Sequence, residues 1–167
     1  MTDGFQLAQV NIGRARGEMT EPVMAEFVAR LPEINALAEQ SPGFVWRLTA
    51  PEGLSSSYLP SPFADPMMIT NLTVWTDIDS LRAFTFQTVH KYFLQSRRSW
   101  FERLASRSLV LWWLPAGHKP TLDEATAKLK LLDDLGPTKD AFTFQDAFDS
   151  AGRPLPKPAK PGQVVVP

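Results

Sequence analysis

The chain has 167 residues, 44% hydrophobic and 21% charged, a balance that suits a single globular domain with its own core. A formal net charge of −1 offers no electrostatic attraction to nucleic acid or to an anionic membrane. The absence of cysteine excludes disulfides, thiolate metal sites and cysteine nucleophiles together.

Phe5 to Ile12 alternates as a first strand, with Ala8, Val10 and Ile12 on one face and Leu7, Gln9 and Asn11 on the other. Gly13 to Gly17 is a turn-rich connection without phosphate-loop spacing. Thr20 is the expected N-cap of a first helix, with Pro22 in its first turn. Val23, Phe27, Leu31, Ile34 and Ala38 recur every three or four residues and form its apolar stripe. Pro32 should kink this helix or start a new one, and Ser41-Pro42-Gly43 ends it. In the second strand, Phe44 to Thr49, Trp46 lies on one side and Arg47 on the other. Residues 50–66, with their prolines and three consecutive serines, read as a surface excursion in preference to a pocket lid.

Met68 to Trp75 is the third strand, and Asp77 or Asp79 caps a helical region expected to reach Leu104. Phe86, His90, Phe93, Arg97 and Phe101 fall on one stripe of that helix, with Trp100 at its margin. Leu109 to Leu114 is the fourth strand. Thr121-Leu122-Asp123-Glu124 forms a capping box before a helix that Gly136-Pro137 stops. Ala141 to Phe144 reads as a short edge strand. Residues 1–148 make the domain, and the proline-rich 149–167 is expected to be an extended or disordered tail. The first residues lack a signal peptide, and no apolar run nears the roughly 20 residues that span a bilayer, so a cytoplasmic protein is expected.

The order strand, helix, strand, strand, helix, strand, extra helix gives an α+β, ferredoxin-like antiparallel sheet with helices on one face. A sheet covered on one side would favour a homodimer to bury its other face.

Leu7-Ala8-Gln9-Val10-Asn11, Gly43-Phe44-Val45-Trp46-Arg47-Leu48, Asn71-Leu72-Thr73-Val74-Trp75, Ser99-Trp100-Phe101 and Leu111-Trp112-Trp113-Leu114-Pro115-Ala116-Gly117-His118 resemble the bacterial family called domain of unknown function 3291, over residues 5–148. The resemblance implies a dimeric α+β barrel, with a pocket between sheet and helices in each subunit. That superfamily includes cofactor-independent monooxygenases of aromatic polyketide quinols, haem-degrading enzymes, and small isomerases or cyclases. The quinol monooxygenases are similar in carrying an Asn and a Trp four residues apart on one strand, the spacing of Asn71 and Trp75, which places both on one face. Haem-degrading relatives also use a helical His, but at a different spacing.

Within this frame Asn71 would donate to a substrate oxygen, or be satisfied by its neighbours. Trp75 would stack on a ring or serve as core; Trp100, Trp46 and Phe93 are further candidates for the ligand-binding wall, with sheet packing the alternative for Trp46. His90 would be a base or a hydrogen-bonded core histidine. Arg97 would stabilise an enolate or carboxylate, or form a salt bridge. His118 is expected to fix its turn. Two histidines without a His-Glu-x-x-His motif predict no catalytic metal, and no hydrolase elbow or dinucleotide fingerprint is present. The expected function is a pocket for a small aromatic or hydrophobic, polyketide-like molecule, with cofactor-independent oxygenation or proton transfer as its chemistry. The alternative is a non-enzymatic dimer that binds haem or another hydrophobic ligand.

Overall fold

The computed structural model describes residues 4–88 and 96–158. Strand β1 (Phe5–Ala15) leads through a 3-10 turn at Pro22–Met24 into helix α1 (Ala25–Gln40). Then follow β2 (Phe44–Arg47), β3 (Met68–Trp75), α2 (Ile78–Ala83), α3 (Arg97–Trp100), β4 (Phe101–Glu102), β5 (Leu109–Pro115) and α4 (Leu122–Leu135). The sheet runs β2-β3-β1, and the other edge of β1 is shared by β5 along Phe5–Asn11 and β4 at Arg14–Ala15. Every pairing is antiparallel. This is the ferredoxin-like α+β arrangement.

Register separates the two faces, because directly opposed residues point the same way. On one face lie Leu7, Gln9, Asn11 and Gly13, opposite Trp75, Thr73, Asn71 and Ile69. Helices α1 and α2 cover this face, with Ala38, Ile78 and Leu81 packed on Leu7, Trp75 and Leu111. The opposite face carries Ala8, Val10, Leu72, Val74 and Trp112, and the extra helix α4 packs there through Ala125, Leu129 and Leu132. Leu48 and Phe63 complete the cover, so this face is already buried within one chain. The sheet therefore has no bare face calling for a second copy, and the homodimer expectation stands on the family resemblance alone.

Local chemistry explains most element ends. The α4 capping box is half formed: Thr121 accepts from the Glu124 N–H at 3.1 Å. The Glu124 carboxylate turns away to accept from Trp112 Nε1 at 3.0 Å and to meet His118 Nε2 at 2.7 Å, so His118 does tie its turn to the helix. Asp77 caps α2 by accepting from the Ser80 N–H at 2.7 Å. Burial alone would raise the Asp77 carboxyl, but hydrogen bonds from the Ser80 backbone and the Thr76 side chain outweigh it and hold the carboxyl below its usual range. Gly43 is held at φ +84°, where a Cβ would also sit 2.2 Å from Ser80 Oγ; only glycine fits there.

Four expectations are corrected. Thr20 is not the cap, since Glu21 precedes the 3-10 turn and makes no side-chain cap bond. No second helix begins at Pro32: α1 runs on through it, with Pro32 on its exposed side. The second helical region does not reach Leu104: α2 passes into a π-helical turn at Phe84–Thr88, and α3 stops at Trp100 because Phe101 and Glu102 pair with Ala15 and Arg14 of β1. Tertiary pairing here overrides helical periodicity. The 50–66 loop is not merely a surface excursion, because Ser55, Ser56 and Ser57 are buried and Ser56 Oγ donates to the Thr70 carbonyl at 2.8 Å.

Ala141–Phe144 contributes a single bridge, in which Leu111 and Phe142 exchange backbone hydrogen bonds at 2.8 and 2.9 Å. Beyond it, residues 149–155 fold back on the domain. Asp149 accepts from the N–H groups of Ala151 and Arg153, and the Leu155 N–H donates to the Ala147 carbonyl at 2.8 Å.

Candidate functional site

The inner sheet face supplies a polar floor. One row across the sheet, set by register, is Arg47, Thr73, Gln9 and Leu111; the next is Asn71, Asn11 and Leu109. Five polar side chains thus sit side by side beneath α1 and α2, where most sheet faces are apolar. Above them lies a cavity of about 340 Å³. Its helical wall includes Phe27, Leu31 and Ile34 of α1 and Leu81 of α2, with Phe84 and Phe86 from the π-helical turn. Gly13 at the end of the floor makes room for Phe101, whose ring would lie 2.8 Å from any Cβ there.

A hydrogen-bond chain organises the floor. Trp75 Nε1 donates to Thr73 Oγ1 at 2.8 Å, and Gln9 Nε2 donates to the same oxygen at 2.7 Å. Gln9 Nε2 also reaches Asn71 Oδ1 at 3.0 Å. With its oxygen engaged, Asn71 has its amide NH2 left as a donor facing the cavity. Trp75, fully buried, thereby fixes Thr73, which fixes Gln9, which orients Asn71.

Arg47 enters from the edge strand. Its side chain is 14% exposed, and Nε lies 3.6 Å from Glu39 Oε2, beyond hydrogen-bond reach. Nη2 makes one long contact of 3.4 Å to the Gly53 carbonyl. Nε and Nη1 are buried without a hydrogen-bond partner. Arg97 also lines the cavity and is exposed. Among the described residues of the lining these two are the charged groups, and no Asp, Glu or His joins them.

The structure brings together Asn71 and Arg97 of the expected site residues. Trp75 lies on the same sheet face, beside the floor, where it packs edge-on to Phe44 at 5.5 Å and against Phe84 at 5.1 Å. Trp100 is buried against Phe27 at 5.6 Å, and Trp46 packs with the core of the opposite sheet face. None of the three tryptophans lines the cavity. His90 and Phe93 lie outside the described residues. Gln9, Asn11, Thr73 and Ser57 were not singled out from the sequence, although the alternation of β1 and β3 placed the first three on the same faces as Leu7 and Asn71. Among the described residues, no cluster of His, Asp and Glu could hold a metal ion, and no helix is long and apolar enough to cross a membrane.

A family model described as a domain of unknown function, DUF3291, matches residues 6–157. No curated protein matches the chain. Several solved structures do. SnoaB, a cofactor-independent oxygenase from Streptomyces nogalater, is 18% identical over 68% of this chain and 95% of its own, with a TM-score of 0.43. NE2512, a protein of unknown function from Nitrosomonas europaea, is 9% identical over 71% of this chain and 95% of its own, with a TM-score of 0.44. A Chloroflexus aurantiacus protein provisionally assigned as an antibiotic biosynthesis monooxygenase is 14% identical over 70% and 97%, with a TM-score of 0.40.

Proposed function

The chain belongs to the DUF3291 family, and on that premise we propose that its cavity binds a small aromatic, polyketide-like molecule and promotes cofactor-independent oxygenation or proton transfer on it. The observation that carries this reading is the pairing of an oriented amide floor with an aromatic and aliphatic ceiling. Ligand sites combine apolar walls with a few converging polar groups, and about 340 Å³ is at the small end of their usual range of roughly 300–1,000 Å³. A one- or two-ring ligand suits it.

The chemistry follows from where charge would develop. A phenol or activated ring C–H that loses a proton becomes electron-rich enough to react with O2 directly. One oxygen atom is kept as a carbonyl, and the other leaves as water with two substrate hydrogens. The Asn71 amide and the Arg97 guanidinium would stabilise the anion, and exclusion of water by the ceiling strengthens the Asn71 interaction. No described lining residue can serve as the base; that role is assigned to His90. Trp75, Thr73 and Gln9 are positioning residues that act through Asn71.

The test is oxygen uptake with a naphthoquinol, measured above the uncatalysed rate, together with solvent proton exchange under argon. The reading expects one of the two to be accelerated and Asn71→Ala and His90→Ala to reduce it by about a hundredfold, within the range for a lost oxyanion donor or general base. Saturable binding with neither reaction would instead support a non-enzymatic ligand binder.

A further inference from the structure

We propose that the cavity selects an anionic ligand, a small aromatic acid whose carboxylate pairs with Arg47 while its ring lies under α1 and α2. This rests on the pocket reading above and adds the charge and polarity of the ligand to it. Two features carry it, both centred on Arg47. The first is that Arg47 is a largely buried guanidinium whose Nε and Nη1 lack hydrogen-bond partners. Its one counter-charge among the described residues, Glu39, is half exposed at 3.6 Å. A buried charge is retained at a cost unless something pairs with it. The second is the lining itself: the chain as a whole carries a net charge of −1, yet the described lining holds two arginines and no carboxylate. The cavity is locally cationic in a slightly acidic protein.

Geometry sets the shape of the ligand. Arg47 opposes Thr73, and Asn71 lies two residues along the neighbouring strand. Strand spacing and rise put Arg47 and Asn71 roughly 8 Å apart at their Cα atoms. An acid group and a phenolic oxygen on opposite ends of one fused ring system bridge such a span, the acid at the edge strand and the oxygen over the centre of the floor.

The experiment is calorimetric titration of the full chain with 6-hydroxy-2-naphthoate and with its neutral methyl ester. The acid should bind about tenfold or more tightly than the ester, the range expected when a hydrogen bond gains a full charge. In Arg47→Gln that ratio should collapse towards one, whereas Arg97→Gln should retain it. Equal affinities in the wild type overturn the anion assignment and leave the pocket reading standing. Binding of neither compound at millimolar concentration overturns both. A ratio lost in Arg97→Gln but kept in Arg47→Gln overturns the role of Arg47.

Arg47→Met supplies a readout independent of any ligand. A cation kept for binding destabilises the empty protein, so the melting temperature of ligand-free Arg47→Met should equal or exceed that of the wild type. A lower melting temperature would make Arg47 a structural tie between α1 and the 50–66 loop and would count against the proposal.

Discussion

Replacing Thr73 with Val removes one oxygen atom and little volume, yet that oxygen is the junction of the floor. It accepts from Trp75 Nε1 at 2.8 Å and from Gln9 Nε2 at 2.7 Å, and all three residues are buried. The valine leaves the indole N–H with no partner, at about 1–3 kcal/mol. Gln9 keeps Asn71 and loses about 1 kcal/mol. Together these amount to about 2–4 kcal/mol. In a chain of this size each kcal/mol shifts the melting temperature by about 2–4 °C, so Thr73→Val should melt about 5–15 °C lower. Thr73→Ser keeps the hydroxyl and loses a methyl, about 1 kcal/mol. Urea unfolding followed by circular dichroism measures both, provided the m-value is unchanged. Trp75→Phe should then cost less in the Thr73→Val background than in the wild type, with a coupling of about 1 kcal/mol. If Thr73→Val is within about 0.5 kcal/mol of wild type, or is milder than Thr73→Ser, the hydrogen-bond chain does not organise the floor.

Gly43→Ala should destabilise far more than Gly53→Ala: both glycines have positive φ, but only at Gly43 does a Cβ meet Ser80 Oγ, at 2.2 Å, and Gly53 has open space. The Gly53 change should cost about 1 kcal/mol by thermal denaturation. Glu124→Ala strips the partner of both Trp112 Nε1 and His118, and a loss of about 1–3 kcal/mol is expected in urea, with Glu124→Gln recovering part of it. Trp100→Ala should cost about 3–5 kcal/mol, as befits a core residue against Phe27; a mild stability effect with a selective loss of ligand binding would return it to the pocket wall. Asp65 is held low chiefly by the Met67 N–H and then by Arg14, Asp149 chiefly by the Arg153 N–H, and Asp77 despite its burial. A carboxylate lowered in the folded state stabilises fully above its unfolded pKa of about 3.9, and that contribution disappears as pH falls through the lower folded value. Urea midpoints should therefore be flat from about pH 7 to 5 and fall steadily below about pH 4, less steeply in Asp77→Asn.

The strands were legible because side chains alternate with period two. Ala8, Val10 and Ile12 announce one face of β1, and Trp75 and Asn71 share the other face of the sheet, as the register confirms. What periodicity cannot tell is which layer covers which face. The stripe of Leu122, Ala125, Leu129 and Leu132 marks an amphipathic helix, but nothing local says that α4 lies across the sheet from α1 and α2. The same limit applies to the helix expected to reach Leu104. Phe101 fits a helical stripe equally well as it fits an edge strand, and its pairing with Ala15, far away in sequence, decides the matter.

The site was half legible for a related reason. Aromatic residues suggested the ligand wall, because a stacked ring and a core ring look alike in a sequence; in the structure Trp75, Trp100 and Trp46 are spent on packing. Polar residues on an apolar strand were the better signal. Gln9 and Asn11 interrupt a face that continues from Leu7, and Arg47 interrupts the face of Val45. A polar group set among apolar ones on a sheet needs a partner, a ligand or water; on that criterion Arg47 reads as facing a pocket or a dimer barrel, and Gln9 and Asn11 could have been found beside it.

The most direct test that the polar floor is the ligand site is a 15N-edited NMR titration of the side-chain amides with 6-hydroxy-2-naphthoate. Those of Gln9, Asn11, Asn35 and Asn71 line the cavity. With the ligand seated on the polar floor, these resonances should move first and together, Asn71 most, while Gln40 and Gln145, exposed and outside the lining, stay fixed. Saturable shifts confined to other surfaces, with the lining amides unmoved, would contradict it.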